Sequence, residues 1–247
     1  MISSPKETLR GLVLLSSPYQ EDSAVITLAT PQGVLSLMAR GVYRPKSPLK
    51  PLLLAFSLVE VEYHQSGEAS VRQASYAKAL FDSSTLYTSY PDSIFLGLLQ
   101  ELSLDLYREG EDYPLEEVSL LLEGLAHQSD RLSLALLLLG VFYRSLGLKE
   151  DTQGCYVCGK KKPLVSYSLE GGGFLCPEDA LANGIAPKDP LDLYVLKFAF
   201  LPIDAISLSK KVPTKQGKDV FEEMLANLLN YFDLKQIASL PLFLEIV

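Results

Sequence analysis

The sequence predicts an α+β protein in which a small β-rich module, residues 1–80, precedes a larger helical part, residues 81–247. Three observations lead there. Apolar residues alternate with polar ones up to about residue 76, then recur every three or four residues from Asp92 onward. Charge divides along the chain as well: residues 1–80 hold eight basic and six acidic groups, residues 81–150 four and twelve, and residues 151–247 ten and twelve. Finally, all three cysteines, Cys155, Cys158 and Cys176, fall close together in the helical part.

Five strands are expected, at 10–15, 24–29, 33–39, 53–63 and 69–76. Pro31, Gln32 and Gly33 form a turn signal between the second and third, and Ser66, Gly67 and Glu68 another between the last two. Val59, Glu60, Val61, Glu62 and Tyr63 alternate as a half-buried strand does. Five short strands in about 75 residues suit a small barrel, and the five-stranded OB-fold is the economical candidate.

Helices follow. Ile94, Phe95, Leu98, Leu99, Leu102 and Leu106 make one apolar stripe, Pro114 suits the start of a second helix, and Asp130 can cap a third that stops at Gly147. That third helix is apolar nearly all round and is expected at the centre of a bundle. Pro190 opens a further helix, and Val220, Phe221, Met224, Leu225, Leu228, Leu229 and Phe232 line one side of the last.

A hydrophobic content of 48% with 21% charged residues is too apolar for a disordered chain. The greasy run 132–143 falls short of the roughly 20 residues of a membrane span, and the run 12–15 is too short for a signal-peptide core. With three cysteines and no secretion signal, a reducing, cytoplasmic setting is expected, where close cysteine pairs serve metals more often than disulfides. The net charge of −8 weighs against nucleic acid, but its distribution leaves the first 80 residues slightly basic.

Within that module the segment 40–51 (Arg40, Gly41, Val42, Tyr43, Arg44, Pro45, Lys46, Ser47, Pro48, Leu49, Lys50, Pro51) carries four basic residues and no acid. Prolines 45, 48 and 51 recur at the period of a polyproline II chain, which would set Arg44 and Lys50 about 19 Å apart on one edge at roughly 3.1 Å per residue. Such a rail would track a phosphate backbone, with Tyr43, Phe56 and Tyr63 as stacking rings. The plainer alternative is a stiffened surface loop with the aromatics in the core.

Cys155 and Cys158 form a C-x-x-C pair, and Cys176 follows after seventeen residues with Asp179 three further on. This is the spacing of a tetrahedral structural zinc site, with Gly171, Gly172 and Gly173 allowing the tight return, and with Asp179 or a water as fourth ligand. A hairpin that has lost its metal and a redox-active cysteine pair are the alternatives; the latter lacks the βαβ setting of a thioredoxin-like site. His64 and His127 have no metal-binding or nucleophile spacing, Gly159-Lys160 and Gly217-Lys218 lack the rest of a P-loop, and no carboxylate pair stands out. An enzyme is not expected.

The order of these parts resembles the RecO family of bacterial recombination mediators: Leu9-Arg10-Gly11-Leu12-Val13-Leu14, then Tyr19-Gln20-Glu21-Asp22-Ser23, Ala39-Arg40-Gly41 leading into Lys46-Ser47-Pro48, a helical body, the C-x-x-C pair and Cys176-Pro177. The resemblance covers nearly the whole chain. It implies an N-terminal OB-fold over 1–80 and an all-helical domain over 81–247, interrupted at 151–182 by a zinc-finger-like insertion. It implies binding of single- and double-stranded DNA, annealing of complementary strands, and action with a RecR-like protein to load RecA onto DNA coated by single-stranded-DNA-binding protein. Arg10, Arg40, Arg44, Lys46 and Lys50 then become candidate DNA contacts, and Cys155, Cys158 and Cys176 candidate zinc ligands, with Asp179, where zinc-binding members usually have Cys or His, as the fourth candidate from spacing. A rival expectation, from the acidity of residues 81–150, is a protein-docking adaptor that touches DNA little.

Overall fold

The computed structural model describes residues 6–66, 71–87, 89–148 and 151–247. Of the turn expected at 66–68, Ser66 ends a strand and Gly67 and Glu68 lie outside the described residues, as does the start of the fifth strand, 69–70. The chain divides into two compact units, Met1–Ser119 and Leu120–Val247. No helix among the described residues is long and apolar enough to cross a membrane.

Alternating burial builds the first unit. Strands β1 (Glu7–Tyr19), β2 (Ser23–Thr30), β3 (Gly33–Ala39), β4 (Leu58–Ser66) and β5 (Val71–Phe81) close into a barrel of order β1-β2-β3-β5-β4, the connectivity of an OB-fold. Strand β1 is shared: its first half pairs with β4 and its second with β2, and a register shift between Val13 and Leu15 bends it from one neighbour to the other. The barrel closes through β3 and β5, paired in parallel at Met38 and Gln73. Ile26, Leu28, Leu37, Val59 and Val61 fill the interior.

The fourth strand begins at Leu58, not at residue 53 as expected. Lys50–Leu53 form a 3₁₀ turn around Pro51, and Phe56, at φ +62° and 3% exposed, reverses the chain just before the strand. Burial of Leu52 and Phe56 decides this segment over its β propensity. Helix α1 (Tyr90–Leu106) joins the barrel in the first unit; Ser89 caps it by accepting from the Asp92 N–H, and Gln100 donates its side-chain amide to the Leu14 carbonyl at the bend of β1.

The division between units falls inside α2 (Leu115–Ala126). In the second unit α3 (Arg131–Ser145) starts at the expected cap, Asp130, whose carboxylate accepts from the Ser133 N–H. It is buried all along 132–143 and packs against α5 (Pro190–Ala199) and α7 (Thr214–Tyr231). Its one glycine explains how close α5 comes: a Cβ on Gly140 would collide with the Ala199 carbonyl oxygen. Tyr143 donates its hydroxyl to Met224 O and Asn227 Oδ1 at 2.8 Å, tying α3 to α7. Two short helices, α6 (Ala205–Ser209) and α8 (Leu240–Ile246), are too brief to show a helical period in the sequence.

Between α3 and α5 a small module interrupts the helices. Strands β6 (Asp151–Cys155), β7 (Ser166–Ser168) and β8 (Gly173–Leu175) form a sheet of order β6-β8-β7, followed by α4 (Pro177–Ala182).

Candidate nucleic-acid interface and metal centre

The basic segment does not form the expected polyproline rail. Successive turns fold it: the Arg44 N–H donates to Gly41 O, Ser47 to Arg44 O and Leu52 to Leu49 O. The sequence pattern overrides the proline period for a physical reason, since Val42, Leu49 and Leu52 bury themselves in the barrel core at 0%, 4% and 0% exposure. An extended chain would leave these side chains in water. The segment is also stitched to β5 by the Ala77 N–H, which donates to Pro48 O at 3.3 Å. Segment 40–51 therefore anchors inward by its apolar residues, while Arg40, Tyr43, Arg44, Lys46 and Lys50 all remain exposed. Between it and Ala74 and Ser75 of β5 runs a groove of about 540 Å³, lined by Arg40, Arg44 and Lys46 among others.

The five candidate DNA contacts differ in what already holds them. Arg10 pairs with Glu116 at 2.7 Å. Arg44 turns back onto Asp22, in the β1–β2 turn, with Nε donating to Oδ2 at 2.7 Å and Nη2 at 2.6 Å from the same oxygen. That guanidinium holds the Asp22 carboxyl below its ordinary range. Arg40, Lys46 and Lys50 are exposed and make no ion pair among the described residues. Of the three rings named as stacking candidates, Phe56 is core, Tyr63 is partly buried with its hydroxyl on Glu7 at 2.6 Å, and Tyr43 alone stands 41% exposed beside the cations. Asp22 was not marked by sequence reasoning, because a partner 22 positions away leaves no local signal.

The four cysteine-site candidates do come together: one ligand atom from each of Cys155, Cys158, Cys176 and Asp179 lies within 4.8 Å of every other. Cys155 closes β6, the Gly159 N–H returns to its carbonyl at 2.8 Å, and Cys176 caps α4 so that Asp179 reaches back in the first turn. Gly172 and Gly173 take positive φ in the return between β7 and β8, and the Tyr156 hydroxyl packs onto Gly171, where a Cβ would force that side chain aside.

The donor set fits a tetrahedral zinc ion. Cys158 Sγ and Cys176 Sγ stand 3.7 Å apart, against an edge of about 3.8 Å for a tetrahedron with Zn–S bonds of about 2.3 Å. Asp179 Oδ2 lies 3.0 Å from Cys155 Sγ and 3.1 Å from Cys176 Sγ. Hydrogen bonds from these thiols, Cys155 first, pull Asp179 down to about 2. The same carboxylate raises Cys158. At Cys176 the Asp179 N–H lowers the thiol, but burial and the carboxylate prevail and push it up to about 12. Burial and the carboxylate push Cys155 up too, yet the N–H groups of Cys158, Cys176 and Val157 bring it below its ordinary value. Three thiols and a carboxylate at this spacing resist ionising together, and a divalent cation removes that conflict.

The module is moored to α7. Tyr167, 3% exposed, donates its hydroxyl to Glu223 Oε2 at 2.6 Å, and Lys188 bonds both Glu223 oxygens at 3.1 and 2.9 Å while lying 4.7 Å from the Tyr167 ring centre. Burial, then the Glu223 carboxylate, raise the Tyr167 hydroxyl well above its ordinary value, so it stays a donor.

Residues 3–79 match the family model described as the N-terminal domain of recombination protein O. Along most of its length the chain is similar to proteins named DNA repair protein RecO. That of Lactobacillus acidophilus is 25% identical over 249 residues, 95% of this chain and 97% of the relative. Those of Lactobacillus helveticus and Exiguobacterium sibiricum are 24% and 29% identical, each over 88% of this chain and 91% of the relative.

Proposed function

Because residues 3–79 match the N-terminal domain of recombination protein O and most of the chain is similar to DNA repair proteins named RecO, we propose that it is a RecO-type cytoplasmic recombination mediator. It binds single- and double-stranded DNA through residues 1–80, anneals complementary strands, and assists RecA loading together with a RecR-like protein on DNA coated by single-stranded-DNA-binding protein. The observation that carries this reading is the two-sidedness of segment 40–51, whose leucines and valine sit in the barrel while its cations face water.

Arg40, Lys46 and Lys50 are the phosphate contacts in this reading, and Tyr43 supplies a ring on which a base can stack. Contacts of this kind hold the backbone, which both strand forms share, and leave base edges unread. Two strands held so can still test each other by pairing. That is the chemistry annealing requires.

Cys155, Cys158, Cys176 and Asp179 are the zinc ligands in this reading. Bound there, the metal supplies a structural crosslink and no reaction, since four protein ligands leave no open position. The backbone N–H groups of Cys158, Cys176 and Val157 face the Cys155 sulfur and stabilise its charged form.

Replacing Arg40, Lys46 and Lys50 by alanine should weaken binding to single-stranded DNA evenly across sequences. The slope of log K against log salt should shrink by about 2, from about 0.7 for each lost phosphate contact. Binding and slope identical to wild type would remove the assignment. One observation favours the adaptor reading: Arg10, Arg44 and Arg72 are already committed to Glu116, Asp22 and Glu109. That reading predicts a salt-sensitive complex with a basic partner and little DNA binding by the chain alone.

A further inference from the structure

We propose that Asp22 is a built-in stand-in for a nucleic-acid phosphate, holding the Arg44 fork until a strand displaces it. The inference rests on the reading of segment 40–51 as a DNA-binding surface and adds a residue to it. Two donors of one guanidinium, Nε and Nη2, converge on one carboxylate oxygen at 2.7 and 2.6 Å, the mode in which arginine also grips a phosphate oxygen. The other carboxylate oxygen accepts from the Ser23 hydroxyl at 3.0 Å, which fixes the carboxylate in place. Arg44 lines the groove alongside Arg40 and Lys46, so the guanidinium that Asp22 occupies borders cations that make no ion pair among the described residues.

The latch, this Arg44–Asp22 contact, is made by side chains, while the Gly41 N–H of the segment also faces the Asp22 carboxylate. The β1–β2 turn and the basic segment stay joined through the Tyr43 N–H, which donates to the Asp22 carbonyl at 3.2 Å, so Arg44 can leave Asp22 without undocking the segment. Exchange is also feasible energetically. The Arg44 side chain is 72% exposed and that of Asp22 39%, and ion pairs this wet contribute little. A strand that brings several phosphates to Arg40, Lys46 and Lys50 offers Arg44 a competing partner at high local concentration. Asp22 would then raise the threshold for weak or isolated anions while leaving polyanions able to bind.

The sign of the expected effect is unusual, because removing an exposed carboxylate should tighten binding through one named arginine. Binding of an oligothymidylate would be followed through a salt titration for wild type, Asp22→Asn, Arg44→Ala and the double variant. Asp22→Asn should bind about two- to fivefold more tightly at low salt and with a slope steeper by about 0.7. Both gains should vanish in the Arg44→Ala background. A gain that persists without Arg44 is only the loss of a nearby negative charge, and it overturns the latch, as does no gain or a loss. In unaltered protein the Arg44 Nε–H resonance should move when oligothymidylate is added; an unmoved resonance at saturation also overturns it. If Arg40→Ala, Lys46→Ala and Lys50→Ala together weaken binding while Asp22→Asn does nothing, the DNA surface stands and the latch falls. If none of these variants changes binding, both fall.

Discussion

Asp179 shows what a single residue decides in this chain. Its place three residues after Cys176, in the first turn of α4, brings its carboxylate within 3.1 Å of two cysteine sulfurs. Purified protein should carry about one zinc per chain; Cys176→Ser should remove it, and Asp179→Ala should weaken retention against a chelator, both readable by elemental analysis. Metal binding should also loosen as pH falls. Cys158 and Cys176 have thiols held above their ordinary values, Cys176 at about 12, so each must give up a proton to bind metal. Competition with a chromogenic chelator should show a weaker site at pH 6 than at pH 8, and a pH-independent affinity would rule out thiolate ligation. The clustering of these four residues was legible because they lie within one short stretch of chain. Asp22 and Glu116 were not, since each reaches an arginine far away in sequence that only the closed barrel and its helices bring near.

At the level of elements, hydrophobic period located every strand of the barrel and the long helices, and Asp130 and Pro190 marked two helix starts correctly. The segment 40–57 defeated the same reasoning. Its prolines suggested an extended rail, while its fate was set by Val42, Leu49, Leu52 and Phe56, whose burial is a property of the assembled barrel. Leu52→Ala should therefore cost about 2–5 kcal/mol in urea unfolding, as a core truncation does, although the residue sits in an apparent surface loop by sequence. A loss under about 0.5 kcal/mol would fit a loop packed on nothing. In the second unit Gly140→Ala should destabilise by about 1–3 kcal/mol or more, because the added methyl meets the Ala199 backbone and not a side chain that can swing away.

For the molecule as a whole, charge is the governing quantity. A net −8 opposes association with a polyanion, and three arginines of the first unit are paired internally, so the proposed DNA surface reduces chiefly to Arg40, Lys46 and Lys50 with Arg44 in reserve. The sequence showed where positive charge is concentrated; it did not show how much is already spent within the fold. Binding by the isolated chain should consequently be weak, with a shallow salt slope of about 2 from three phosphate contacts, and a basic partner should strengthen it. The most direct test is a salt titration of single-stranded DNA binding by wild type and by the Arg40→Ala, Lys46→Ala, Lys50→Ala variant, with urea unfolding to verify that both are folded. The account predicts weaker binding across all sequences and a slope smaller by about 2. Equal affinity and equal slope in two folded proteins would contradict it.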